Sequence, residues 1–213
     1  MLIRWAAALL LAYLLGAFPT GALVARLYGV DLTQYGSRRT GATNALRVLG
    51  KPAAVLVLGG DVLKGMLAVW LAGRLVAQPS ARPLAALAAI VGHTYSIFLG
   101  GRGGRGVATG LGGLAMLSPA ALLVGAVGAI GTIAATRYVS LGSLVGAALG
   151  GAALTCQVLR GRAPASVLLY AVGGAGFIYY THRDNIGRLL AGTERRLGQR
   201  EHGAEAGTAA PQS

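Results

Sequence analysis

The sequence predicts an all-α integral membrane protein, a bundle of about seven transmembrane helices with its N-terminus outside and its functional loops cytoplasmic. Three observations carry this. Of 213 residues, 54% are hydrophobic and only 12% charged, with a mean hydropathy of +0.62; a soluble domain carries about 25% charged residues. Charge-free runs cover residues 5–25, 83–101, 106–136, 138–159 and 163–181, and a further run over 52–77 is apolar except for Asp61, Lys64 and Arg74. The cations, finally, divide unevenly between alternate connections.

Taken in order, residues 5–25 suffice for one crossing of roughly 30 Å. A signal peptide is the competing reading, but the run passes into "PTGALVARL" without a small-residue cleavage site. Thr43 to Leu49 can form a short helix, stopped by Gly50 and Pro52. Residues 52–77 and 83–101 supply the second and third spans. The run 106–136 is too long for one, and the proline of Ser118–Pro119 removes a helical hydrogen bond. Helices over about 107–118 and 119–136 are therefore expected. Residues 138–159 and 163–181 supply the last two. Residues 1–198 read as one membrane domain, and residues 199–213 as a polar tail without fixed structure.

With seven spans, one side of the membrane receives thirteen Lys and Arg residues, from Arg26 through Arg200, and the other five. Six spans would place the arginine-rich tail outside, against the positive-inside tendency. The same tendency accounts for the formal charge of +13 without nucleic acid as a partner. Cys156 is the single cysteine. It lies in an apolar run, cannot form an internal disulfide and reads as a packing residue.

Three polar segments fall on the basic side: "YGSRRTGATNALRVLGK" (35–51), "GGRGGRGVAT" (100–109) and "THRDNIGRLLAGTE" (181–194). That asymmetry marks a working face. The second contains Gly-x-Gly-x-x-Gly at Gly101, Gly103 and Gly106, but a hydrophobic helix precedes it and no acidic residue occurs between Asp61 and Asp184. A dinucleotide fold needs a strand before the glycines and an acid about 20 residues later. The Gly-Lys-Ser/Thr of a P-loop is absent too. What survives is an anion site at a helix start, with backbone N–H groups, Arg102 and Arg105 around it; a glycine-rich turn with positive-inside arginines is the plainer alternative.

In the first segment, Ser37, Thr43, Asn44 and Arg47 form a second polar cluster, with Arg47 one helical turn beyond Thr43. An amphipathic surface helix would show the same pattern. Asp61 and Lys64 stand at i,i+3 inside a span, where charges are costly unless paired or facing a polar cavity. They either neutralise each other or meet an anion. His182 and Asn185 lie near the end of the last span, His182 as a base, a phosphate donor or a solvated interfacial histidine. His93 reads as a structural hydrogen bonder and His202 as unassigned.

In this order, "GAFPTGALVARL", "GSRRTGATNALRVLGK", "DVLKG", "GHTYSIFLGGRGGRGVATG", "TRYVSLGS" and "HRDNIGRLLAGTE" resemble the bacterial membrane acyltransferases that move a fatty acyl group from acyl phosphate to glycerol 3-phosphate. The resemblance covers nearly the whole chain. It implies a seven-span enzyme of the bacterial inner membrane with its active face cytoplasmic. The product would be 1-acyl-glycerol 3-phosphate (lysophosphatidic acid), in the first step of phospholipid synthesis. The enzyme supplying acyl phosphate would be a partner, and no cofactor, metal or coenzyme A is implied. By matching position, Ser37, Arg47, His182 and Asn185 look catalytic. Thr43, Asn44, Lys64, Arg102, Gly103, Gly104, Arg105, Gly106 and Ser143 look like substrate- or phosphate-binding residues, with Asp61, His93 and Glu194 structural beside them.

There are departures. The family usually has Gly-Asn after the serine, where this chain has Arg38–Arg39, and lysines in the glycine loop, where it has Arg102 and Arg105. Arginine keeps the charge but not the geometry. The chemistry of acyltransferases that use a histidine and, five positions on, an aspartate is absent, since Phe98, Gly187 and Gly207 occupy those positions. A small membrane transporter or channel for phosphate-containing anions is the alternative from another class, because a charged pair in a span and a glycine-rich loop would suit a pore.

Overall fold

A computed structural model describes residues 1–198, whose regular structure is entirely helical, with no strand among them. The tail expected over 199–213 lies outside the described residues. The first apolar run is two helices rather than one, α1 (Leu2–Ala17) and α2 (Thr20–Leu27). Pro19 explains the break. It lacks an N–H and forces the residue before it out of the helical region, and Phe18 accordingly has φ −53° and ψ 124°.

The short helix expected after the first loop is α3 (Ala42–Val48). Gly50, at φ 88°, turns the chain directly into α4 (Lys51–Leu75), which carries Pro52 in its first turn. There follow α5 (Ala81–Thr94), a 3-10 turn over Ile97–Leu99, and α6 (Val107–Leu117). Ser118 ends α6 and begins α7 (Pro119–Thr136), its Oγ accepting the Ala121 N–H at 3.1 Å. The split expected at Ser118–Pro119 is thus present. The chain closes with α8 (Val139–Leu159), a 3-10 turn over Ala165–Val167, α9 (Leu168–Thr181) and α10 (Arg183–Leu190).

Among the described residues, five helical stretches are long and apolar enough to cross a membrane: Leu2–Leu27, Lys51–Leu75, Ala81–Leu99, Pro119–Thr136 and Val139–Leu159. Val107–Leu117 and Ala165–Thr181 are apolar but shorter. At 11 residues, α6 spans about 17 Å against the roughly 30 Å of a hydrocarbon core. Large apolar side chains such as Leu10, Val55, Leu123, Val127 and Val172 point outward, as lipid-facing residues do.

In lipid, helices associate through close packing rather than through the hydrophobic effect, and the abundant glycines serve that. A methyl on Gly16 would run into the Ala89 backbone of α5, and one on Gly112 into the Val62 carbonyl of α4. Gly125 and Gly146 do the same for α7 against α8. One group of helices, α1, α4, α5 and α6, therefore packs against a second, α7 to α9, through contacts of α5 with α9 and α6 with α7. Between α3–α4 on one side and α7–α8 on the other, a cleft remains with α6 as its floor.

Candidate active site

The cleft holds a cavity of about 710 Å³. At one end it is polar, lined from the three segments singled out above: Ser37, Thr43 and Arg47, then Arg105 and Gly106, then His182, Asn185 and Glu194. The other end is an apolar trough bounded by Val55 and Leu58 of α4, Leu111 and Leu114 of α6, and Ala129, Ile130 and Ile133 of α7. Val55 and Ile130 are themselves 66% and 67% exposed on the bundle surface. The trough therefore opens sideways, towards the side a lipid would occupy.

In the first segment one side chain organises the loop. Asn44 is buried, and its Nδ2 donates to the carbonyls of Leu32 (3.2 Å), Tyr35 (3.1 Å) and Arg39 (2.9 Å). Its Oδ1 accepts the Ser37 N–H at 2.9 Å. Its amide is thus committed to the fold: the structure makes Asn44 the clamp that presents Ser37 to the cavity. Thr43 and Arg47, one turn apart on α3, both line the cavity, as their spacing requires.

The glycine segment is anchored more tightly than its composition suggests. Gly103 and Gly104 donate their N–H groups to the carbonyls of Thr94 (3.0 Å) and His93 (3.3 Å) at the end of α5. A Cβ on Gly103 would meet the His93 carbonyl, and one on Gly104 the His93 ring. These two glycines therefore serve close approach, and neither lines the cavity. Arg102 is exposed in the preceding turn and does not line it either. The part that does is Arg105 to Ala108, where Gly106 at φ 84° starts α6. An anion there meets the positive end of a helix and one guanidinium. Burial pushes Arg105 down to about 10, helped by the positive charges of Arg39 and Arg188 and opposed by Glu194 and Asp184. It stays protonated at neutral pH.

At the end of α9, His182 is buried and its Nδ1 lies 2.8 Å from the Ile178 carbonyl. A carbonyl only accepts, which assigns the proton to Nδ1 and leaves Nε2 an acceptor. Burial pushes the imidazole down to about 4, against the Ile178 carbonyl; Arg105 adds to the fall and Glu194 opposes it. Asn185 Nδ2 donates to Glu194 Oε1 at 2.6 Å, and Arg188 Nε to Glu194 Oε2 at 2.7 Å. Burial by itself would raise the Glu194 carboxyl, but these bonds together hold it below the usual carboxylate range. Asn185 Oδ1 is buried with no hydrogen-bond partner among the described residues. His182 and Asn185 thus bring two acceptor atoms to the cavity region.

Asp61, Lys64 and His93 form a buried cluster under the glycine segment. Lys64 Nζ lies 2.8 Å from Asp61 Oδ1 and donates to the Phe18 carbonyl at 3.0 Å. His93 Nδ1 is 3.6 Å from the same carboxylate oxygen. Asp61 and His93 touch the large cavity, but Lys64 does not; it faces a small pocket at the α1–α2 break. Ser143 lines the large cavity while its Oγ donates to the Val139 carbonyl at 2.9 Å.

Residues 6–192 match the glycerol-3-phosphate acyltransferase family. The chain belongs to that family. A glycerol-3-phosphate acyltransferase of Thermus thermophilus is 47% identical over 195 residues, covering 90% of this chain and 94% of the relative. Glycerol-3-phosphate acyltransferase 2 of Moorella thermoacetica is 46% identical over 197 residues, covering 92% and 99%. The crystal structure of PlsY (YgiH), an integral membrane glycerol 3-phosphate acyltransferase, in its glycerol 3-phosphate form superposes with a TM-score of 0.84. It is 37% identical and covers 91% of this chain and 96% of that one.

Against the family pattern, Arg38 stands where glycine is usual, and its φ is 55°. That left-handed conformation suits glycine, and a non-glycine residue adopts it at some cost. Arg39, named from the sequence only as a departure from the family pattern, lines the cavity, and sequence reasoning passed over four further lining residues: Lys51, Ser140, Arg188 and Arg195. Two signals were available. Ser140 precedes Ser143 by three residues on α8, and Arg188 follows Asn185 by three on α10, spacings that share a helix face.

Proposed function

We propose that this chain transfers a fatty acyl group from acyl phosphate to glycerol 3-phosphate, giving 1-acyl-glycerol 3-phosphate and inorganic phosphate. The observation that carries this is the union, in one cavity, of a cation-rich polar end with an apolar trough open to the side. Such a cavity suits one amphiphilic anion and one small polar anion meeting head to head. Two phosphates repel, and Arg39, Arg47, Lys51, Arg105 and Arg188 around the polar end offset that repulsion.

In this reading the trough takes the acyl chain, while Arg105 and the start of α6 hold one phosphate. Arg47 holds the other, with Thr43 and Ser143 beside it. Ser37, His182 and Asn185 orient the glycerol hydroxyl, whose oxygen attacks the acyl carbonyl. The bond from the carbonyl carbon to the bridging oxygen breaks, phosphate leaves, and the hydroxyl proton passes to a phosphate oxygen. The charge bias of the connections supports seven crossings over residues 1–198, with the N-terminus outside and this polar end on the cytoplasmic face of a bacterial inner membrane.

Purified protein in detergent is expected to release phosphate from palmitoyl phosphate only when glycerol 3-phosphate is present, and to leave palmitoyl-CoA untouched. No turnover in folded protein would overturn the assignment and bring back the anion transporter. His182 gives a second check. An imidazole held neutral near 4 is a weak base, so between about pH 6 and 8 the rate profile of His182→Gln should keep the wild-type shape, with a loss of about tenfold. An inflection lost only in the variant would make His182 the base. Since its pKa in the fold lies below the ordinary 6.5, His182 favours the fold fully above that value. This contribution fades as pH falls towards about 4.

A further inference from the structure

After α10 the chain does not leave the protein. Residues 193–197 cross back over the polar end of the cavity and are fastened to the turn between α7 and α8, about 60 positions earlier in sequence. The fastening is centred on Arg137. Its Nε and Nη2 donate to the Leu197 carbonyl at 3.1 and 2.7 Å, and its own carbonyl accepts the Leu197 N–H at 2.7 Å. Next to it, Arg196 Nε donates to the Tyr138 hydroxyl at 3.2 Å, with its guanidinium 5.2 Å from the ring centre. Within the segment so held is Glu194, whose two carboxylate oxygens grip Asn185 and Arg188.

We propose that Arg137 is a positioning residue for the reaction proposed above: it fixes the strap 193–197, which sets Glu194, which aims the Asn185 amide. The inference rests on that functional reading. Three features point the same way. Arg137 ends α7 in the left-handed region, at φ 63°, a conformation a non-glycine residue adopts at some cost. Its guanidinium makes both its hydrogen bonds to one backbone carbonyl of the strap, a two-toothed grip that lysine cannot reproduce. Glu194, three residues from that grip, is buried although its neighbours Thr193 and Arg195 are exposed, so the strap must be held at a fixed depth for the carboxylate to reach Asn185. No charge from Arg137 needs to reach the substrate; its effect passes through the backbone of the strap.

The test uses the full chain in detergent. Arg137→Gly is the informative variant, since glycine keeps the left-handed turn unstrained and removes only the side chain. Arg137→Lys keeps a charge and one donor, so the series stays readable should the glycine variant fold poorly. Hydrogen exchange is followed over residues 193–198, together with kcat and KM for glycerol 3-phosphate. In Arg137→Gly we expect faster exchange confined to that segment and kcat/KM lower by about tenfold, with Arg137→Lys between it and wild type. Combined with Glu194→Gln, Arg137→Gly should cost nothing further, because both act through one carboxylate. Unchanged exchange, or losses that multiply in the double variant, would overturn the role of Arg137. A folded wild type without turnover would instead sink the functional reading beneath it.

Discussion

Arg105→Ala is expected to lower kcat/KM by on the order of 10²–10³-fold, the cost of removing a preorganised charge from a site of developing or transferred negative charge. Two independent features meet at this residue. Its guanidinium lines the polar end of the cavity, and the chain immediately after it opens α6 with Gly106, Val107 and Ala108 on the same wall. The loop that carries it is fixed from behind: Thr181 Oγ donates to the Arg105 carbonyl at 3.0 Å, and Gly103 and Gly104 are bonded to the end of α5. The group therefore does not need to be ordered on binding. Arg105→Lys keeps the charge without the planar fork and should recover activity to within about tenfold of wild type. Arg102→Ala, three residues upstream and exposed outside the cavity, should leave kcat/KM within about twofold. Equal losses at Arg102 and Arg105 would mean a diffuse basic surface rather than a site. No loss at Arg105 would remove the glycine segment from substrate binding.

The contrast between Arg102 and Arg105 also shows what sequence can and cannot tell. Local signals are legible. Proline at Ser118–Pro119 announces a helix boundary, Gly50 and Pro52 end the short helix over residues 42–48, and the bias of basic residues gathers three separated motifs onto one face. Pro19 carries the same kind of signal, yet hydropathy averaged over a window is blind to a missing N–H, and the run looks like one helix. What stays hidden is which distant group each polar atom satisfies. The amide of Asn44 could have faced substrate; instead it holds the Leu32, Tyr35 and Arg39 carbonyls. The N–H groups of Gly103 and Gly104 could have met an anion, but α5 ends beside them with carbonyls that its own helix leaves unpaired. Spacing along a chain does not encode such partnerships. They are settled by packing, which in this chain is set by glycine contacts between helices far apart in sequence.

Lys64 is where the two kinds of reading give opposite experimental results. As a substrate-binding cation it would raise KM when removed and leave the fold intact. In the structure Lys64 is 6% exposed, its ammonium paired with Asp61 and bonded to the Phe18 carbonyl that Pro19 frees at the end of α1. Lys64→Met removes one member of a buried pair, leaves the Asp61 carboxylate uncompensated beside His93, and should destabilise the fold by about 3–5 kcal/mol. The loss would be read as a large fall in the detergent melting temperature. Replacing both partners, as Asp61→Leu with Lys64→Met, removes the stranded charge and should recover most of that loss, because an apolar pair of similar volume is often as stable as a buried ion pair. The Phe18 carbonyl still loses the ammonium and keeps only the Thr20 N–H at 2.9 Å, so recovery should stop short of wild type by about 1 kcal/mol. A single variant with wild-type melting and a raised KM would return Lys64 to the substrate. A double variant as unstable as the single one would show that Lys64 acts on the α1–α2 break alone, with its bond to Phe18 outweighing the ion pair.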